Sequence, residues 1–114
     1  MDELGEGPRG SPGILDMASL ASVREFAGFV AERLPGQSLD LLINNAGVMA
    51  VQNRELTVGG YERQFATNYL GPFLLTALLF RQMKEQRGTR VVTVASGIAN
   101  QAKIEFDNLQ SERV

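Results

Sequence analysis

Residues 39–47, Leu-Asp-Leu-Leu-Ile-Asn-Asn-Ala-Gly, constrain this chain more than any other stretch. Four apolar residues in five follow a Pro35-Gly36 break and end in small and amide side chains. A short apolar run bounded in this way predicts a strand buried on both faces, as in parallel sheets covered by helices on each side. Its polar ending then falls at the carboxyl edge, where open α/β sheets bind ligands. Asn amides at that edge can bond the backbone of neighbouring strands, and Ala46 and Gly47 let a flat ligand approach the main chain. An ordinary strand-to-turn exit accounts equally well for the Asn and Gly, and on this stretch alone both readings stay open.

The rest of the chain decides how many such elements there are. Its 114 residues suffice for one domain and not for two. Hydrophobic residues make up 44% and charged residues 21%, which supports a packed core. A net charge of −2 and a pI near 5.1 argue against nucleic acid or an anionic membrane surface as the main partner. The absence of Cys excludes disulfides and thiolate sites, and the absence of His leaves only carboxylates for a zinc site, so no metal is expected. The N-terminus has no apolar signal-like segment, and the greasiest stretch, residues 69–80, is interrupted by Gly71-Pro72 and too short to span a bilayer. A soluble, cytoplasmic protein without a membrane span is expected.

Residues 1–13 are rich in glycine, carry Pro8 and Pro12, and are expected to be irregular. Ile14-Leu15 hints at a strand. Val23, Phe26, Ala27, Val30, Ala31 and Leu34 then recur at helical spacing; Ser22 to Glu25 fits a capping box, with Ser19 as the rival N-cap. A second helix is predicted over 61–86. Its first half is amphipathic, whereas 69–80 is apolar nearly all round, which calls either for a central core position or for a second subunit in a homo-oligomer. Residues 90–96, Arg-Val-Val-Thr-Val-Ala-Ser, form a β-branched strand ending at Ser96-Gly97. Alternating strands and helices imply consecutive β-α-β units and a parallel sheet.

In such a sheet residues 44–47 and Ser96 share one rim, and Asn68 lies on the helix between them. Pro72 has no N–H, so the carbonyl of residue 68 loses its α-helical partner and needs another donor, most simply a water. Beside a ligand-binding edge, a freed carbonyl suits a proton-relay water; a proline kink tolerated for packing is the other reading.

These residues together resemble a family. Leu15-Asp16-Met17, Asn44-Asn45-Ala46-Gly47, Asn68, and Val91 to Ser96 look like the middle of a short-chain dehydrogenase/reductase. Residues 64–76, with Phe106-Asp107-Asn108-Leu109-Gln110-Ser111-Glu112, are similar to its retinol-dehydrogenase-like branch. The resemblance spans residues 14–114. It implies an NAD(P)-binding Rossmann-type domain occupying 1–114, and hydride transfer between an alcohol or carbonyl substrate and NAD or NADP. Carried over residue by residue, Asp16 contacts adenine with Met17 beside it, and Asn44, Ala46 and Gly47 line the cofactor. Ser96 bonds the substrate oxygen, and the Asn68 carbonyl holds the relay water.

Two parts of the family's pattern are missing. No glycine-rich turn joins a strand to a helix in residues 1–13, and no Tyr precedes a Lys by four positions: Tyr61 and Tyr69 are followed by Phe65 and Phe73. The resemblance places that Tyr and Lys, the general acid/base and the residue that lowers its pKa, beyond Val114. Ala95 stands where the branch often carries a second serine. The expected fold is therefore a partial Rossmann-type parallel sheet, β-α-β-α-β, lacking the first two strands and the C-terminal part. In the family's strand order the strand near Ile14 would lie roughly 14 Å from that at Leu39, so residues 1–36 are expected to dock loosely or elsewhere. Two readings follow: an oxidoreductase portion inactive by itself, or a catalytically silent association module using the helix over 61–86.

Overall fold

The computed structural model describes residues 10–36, 38–49, 53–83 and 88–113. Helix α1 (Leu20–Arg33) leads to strand β1 (Leu41–Asn44). A helical rod follows in three parts, α2 (Arg63–Phe65), a π turn (Ala66–Leu70) and α3 (Gly71–Met83). Strand β2 (Arg90–Thr93) and a 3-10 turn (Gly97–Gln101) complete the order. The strands pair in parallel with Leu41 opposite Arg90 and Asn44 opposite Thr93. The α/β class and the parallel β-α-β unit expected from the sequence are present.

Ser19, the rival cap, starts α1: its Oγ accepts the Ser22 N–H at 3.2 Å, so the helix begins before the expected capping box. Ser22 Oγ instead accepts the Asp16 N–H at 2.9 Å and ties the incoming chain to the first turn. At the other end Gly36, at φ +68°, reverses the chain, a left-handed conformation that glycine adopts without penalty.

Val23 and Ala27 of α1 meet Leu75 and Leu79 of α3, with Met17 beside them, to form the buried core. Leu39, Leu42 and Leu74 pack on its margin. Burying a side chain such as Leu79 is worth about 1.5–3 kcal/mol, so this seam is the main stabilising contact. Within the stretch expected to dock loosely or elsewhere, residues 20–33 pack on α3, because the apolar stripe of α1 has its complement there. Ile14-Leu15 is not a strand: Ile14 is 94% exposed, and the chain from Asp16 to Ala18 turns directly into α1.

Strand β1 is buried on one face, not two: Leu42 and Asn44 turn inward while Leu41 and Ile43 are exposed. The whole of β2 is exposed. The helices cover a single side of this two-stranded sheet, so the apolar runs read as central strands lie open on the other.

The second helix starts at Arg63 rather than residue 61. Glu62 caps it, its carboxylate accepting the N–H groups of Gln64 at 2.9 Å and Phe65 at 2.8 Å. Its expected end near residue 86 lies outside the described residues. Within it the Gly71 N–H reaches back to the Ala66 carbonyl, one residue farther than in an α-helix. Gly71 also lies against the incoming chain: a Cβ there would stand 2.5 Å from the Met17 carbonyl oxygen. Gly71-Pro72 thus combines a close backbone approach with a missing donor, and the π turn takes up the mismatch.

Candidate active site

Because β1 and β2 run parallel and in register, both carboxyl ends face the same edge. The Val94 N–H donates to the Asn44 carbonyl at 3.0 Å, so the pairing continues just past the named strands towards Ser96. The Ser96 carbonyl then accepts the Ala99 N–H at 3.1 Å and opens the 3-10 turn. Asn44, Ala46, Gly47 and Ser96 therefore occupy one rim, as expected.

Asn68 turns its amide onto that rim. Its Oδ1 accepts the Val48 N–H at 2.8 Å and its Nδ2 donates to the Val48 carbonyl at 2.7 Å. This paired clamp replaces a strand partner for the exit loop of β1, and it needs Gly47 beside it, where a Cβ would come 3.2 Å from Asn68 Oδ1. The carbonyl of the same residue sits in the π turn immediately before Pro72.

Asn44 is buried at the strand tip. Its Nδ2 donates to Thr76 Oγ1 on α3 at 3.1 Å, so it ties sheet to helix and not strand to strand as the sequence reading expected. Its Oδ1 is buried with no hydrogen-bond partner among the described residues. The reason is geometric: Asn44 points to the helix-covered face, where the hydroxyl is the available acceptor. A cleft of about 360 Å³ opens here, lined by Asn44, Asn68, Tyr69, Pro72, Thr76 and Thr93 among others.

Asp16 and Met17 lie elsewhere. Asp16 Oδ1 accepts the Ala18 N–H at 3.0 Å and its carbonyl the Ser19 N–H at 3.0 Å, so it shapes the entry to α1. The Met17 side chain belongs to the core. Neither lines the cleft between Asn44 and Asn68. Sequence reasoning missed Thr76 and Val48. Thr76 was legible in principle, since positions 68, 72 and 76 share one helix face; Val48 was not, because only the fold brings it to Asn68.

Ala46 and Gly47 are exposed and small, leaving the main chain open at the rim. Among the described residues no glycine-rich turn links a strand to a helix to hold the phosphates. Among the described residues no group of three carboxylates gathers that could hold a metal ion, and no helix is long and apolar enough to cross a membrane.

The chain belongs to the short-chain dehydrogenase family, whose sequence profile, described as short chain dehydrogenase, matches residues 3–108. Retinol dehydrogenase 14 of Mus musculus is 42% identical over 114 residues, 96% of this chain and 33% of that protein. Polyprenol dehydrogenase of Homo sapiens is 46% identical over 101 residues, 84% of this chain and 29% of that protein. The chain thus spans about a third of the length of these relatives. Among solved structures, an uncharacterised protein from Mycobacterium paratuberculosis superposes with a TM-score of 0.74 at 39% identity, covering 92% of this chain and 36% of that one. The NADPH-bound carbonyl reductase from chicken fatty liver gives 0.54 at 30% identity over 66% of this chain and 30% of that one.

Proposed function

We propose that this chain forms the substrate-side rim of an NAD(P)-dependent oxidoreductase that interconverts a lipophilic alcohol and its carbonyl form. The observation that carries the reading is the convergence of two parallel strand tips with Asn68, whose carbonyl lies in a π turn ended by Pro72. Ser96 offers its hydroxyl to the substrate oxygen. The Asn68 carbonyl holds a relay water, and its side chain holds the loop at Val48. Asn44, Ala46 and Gly47 flank the nicotinamide half of the cofactor, with Asp16 and the Met17 backbone on the adenine side. The bound cofactor supplies the hydride acceptor or donor. A lipophilic substrate is supported by the names of the relatives, retinol and polyprenol dehydrogenases.

No Tyr stands four positions before a Lys in these 114 residues, so the chain alone has no group to move the alcohol proton. It is expected to be inactive by itself and to bind cofactor weakly. Titration with NADH and NADPH, followed by nicotinamide fluorescence, tests the reading in this chain and in a version extended through a Tyr-x-x-x-Lys. Restored binding and alcohol oxidation in the extended version are expected; an extended chain that binds neither cofactor would refute the assignment.

A second reading is favoured by one observation. Tyr69, Phe73 and Phe80 are exposed along the helical rod, and Val91 and Val92 are exposed on β2. A catalytically silent association module, self-pairing through the rod, would cover them. Robust dimerisation together with failure of the extended version would favour it.

A further inference from the structure

A second and larger cleft lies between the segment that caps the helical rod and the polypeptide after the 3-10 turn. Its volume is about 780 Å³, within the range that holds a drug-sized ligand. Phe65 and Tyr69 of the rod form one wall, and Ile104, Phe106 and Leu109 form the other. Phe106 is 78% and Ile104 70% exposed, so both walls present apolar surface without covering each other. Phe65, Tyr69 and Phe73 stack successively along the rod, with ring centroids 5.5 and 5.8 Å apart, giving the wall a continuous aromatic surface. Tyr69 lines this cleft and also the smaller one that holds Asn44 and Asn68.

The two walls are tied through Gln110. Its carbonyl accepts Arg54 Nε–H at 2.9 Å, and its Oε1 accepts the N–H of Glu62, the cap of the rod, at 2.6 Å. The far wall is braced within itself: Asn108 and Arg113 exchange two hydrogen bonds, and Arg113 pairs with Asp107 at 2.9 Å. These bonds tie residues 107–113 to one another and, through Gln110, to the start of the rod.

From this we infer that the cleft seats the uncharged apolar body of the substrate, with its polar end directed past Tyr69 towards Asn68, and that Gln110 is a positioning residue holding the far wall. The role as a substrate seat rests on the oxidoreductase reading; the binding itself does not. Arg54, Lys103 and Arg113 line the cleft together with Glu62 and Glu105, and Arg113 pairs with Asp107, so the lining charges are mixed in sign and the apolar walls favour a neutral ligand that keeps no charge to desolvate.

The test is a titration of the full chain, without cofactor, with 1-dodecanol, dodecanoate and ethanol. Fluorescence reports from Tyr61 and Tyr69, the protein's two tyrosines, in the absence of tryptophan. Saturable binding of dodecanol is expected, with dodecanoate weaker and ethanol silent. Phe106→Ala and Leu109→Ala, both at exposed positions, are each expected to weaken dodecanol binding by about fivefold or more with unchanged circular dichroism. Gln110→Ala should weaken it too, while Gln110→Glu, which keeps an acceptor for the Glu62 N–H, restores most of it. Non-saturable binding, tighter binding of dodecanoate, or wild-type affinity in both Phe106→Ala and Leu109→Ala would overturn the inference. So would dimerisation abolished by Phe106→Ala, which would give the cleft to a second copy. Dodecanol binding retained alongside absent cofactor binding in the extended chain would overturn the oxidoreductase reading and leave the cleft as an apolar-ligand site.

Discussion

Asn68 serves the rim twice, through its side chain and through its main chain, and the two roles separate by mutation. Asn68→Ala removes both bonds to Val48, leaving its N–H and carbonyl to solvent on an exposed loop. Stability should fall by about 1–2 kcal/mol in urea denaturation, and the Val48 amide should exchange faster. An unchanged exchange rate at Val48 would show that the clamp does not order the loop. Gly71 offers a test of opposite sign to the usual rule. In an ordinary helix interior Gly→Ala stabilises by about 0.8–1.0 kcal/mol, whereas here the new methyl would meet the Met17 carbonyl at 2.5 Å. Gly71→Ala is therefore expected to destabilise by about 1–3 kcal/mol in thermal melts, because backbone must move. A gain in melting temperature would mean that the chain at residue 17 yields easily. Both residues stand out in the sequence. Their contacts do not, since Val48 and Met17 are far from them along the chain.

Among the elements, the helical rod depends most on a local rule. The missing N–H of Pro72 was legible, and so was the carbonyl of residue 68 that an α-helix would have paired with it. The form of the response was not: the rod widens into a π turn over Ala66–Leu70. Pro72→Ala restores the donor, so the turn should tighten towards α geometry, with a slowly exchanging amide at residue 72. Fast exchange there would mean that the close approach at Gly71, and not the proline, maintains the π turn. The start of the rod teaches a related lesson. Glu62 takes the cap position and is itself bonded by Gln110, so a residue far along the chain sets where the helix begins. The cap of α1 is purely local, yet the sequence offers both Ser19 and Ser22 for it, and the path of the chain at Asp16, whose N–H donates to the Ser22 hydroxyl, leaves the cap to Ser19.

At the scale of the whole molecule, the core is a seam between α1 and α3, and among the described residues the sheet has two strands. Apolar surface at Ile43, Phe73, Phe80 and Val92 is left open. Open apolar surface of this kind on a small chain favours association. Sedimentation velocity should show concentration-dependent self-association, reduced by the double change Phe73→Glu and Phe80→Glu. A chain that stays monomeric up to its solubility limit would remove the association reading. Burial on both faces of β1 was a sound inference from Leu-Leu-Ile, but periodicity reports what a strand can cover and not what is present to cover it.

The order of chain chemistry alone determined the class of this protein: apolar runs of strand length alternating with helical stripes admit few arrangements besides a parallel α/β unit. It also determined the rim, because parallel strands put Asn44 and Ser96 at one edge whatever else surrounds them. Only tertiary structure decided which atoms meet there. Whether the Asn44 amide bonds a strand or Thr76, whether Met17 faces a ligand or the core, and whether residues 103–113 fold back to make a cleft all depend on side chains brought together across the fold. Hydrogen bonds and packing act over a few ångströms in space, and spacing along the chain carries no record of that distance.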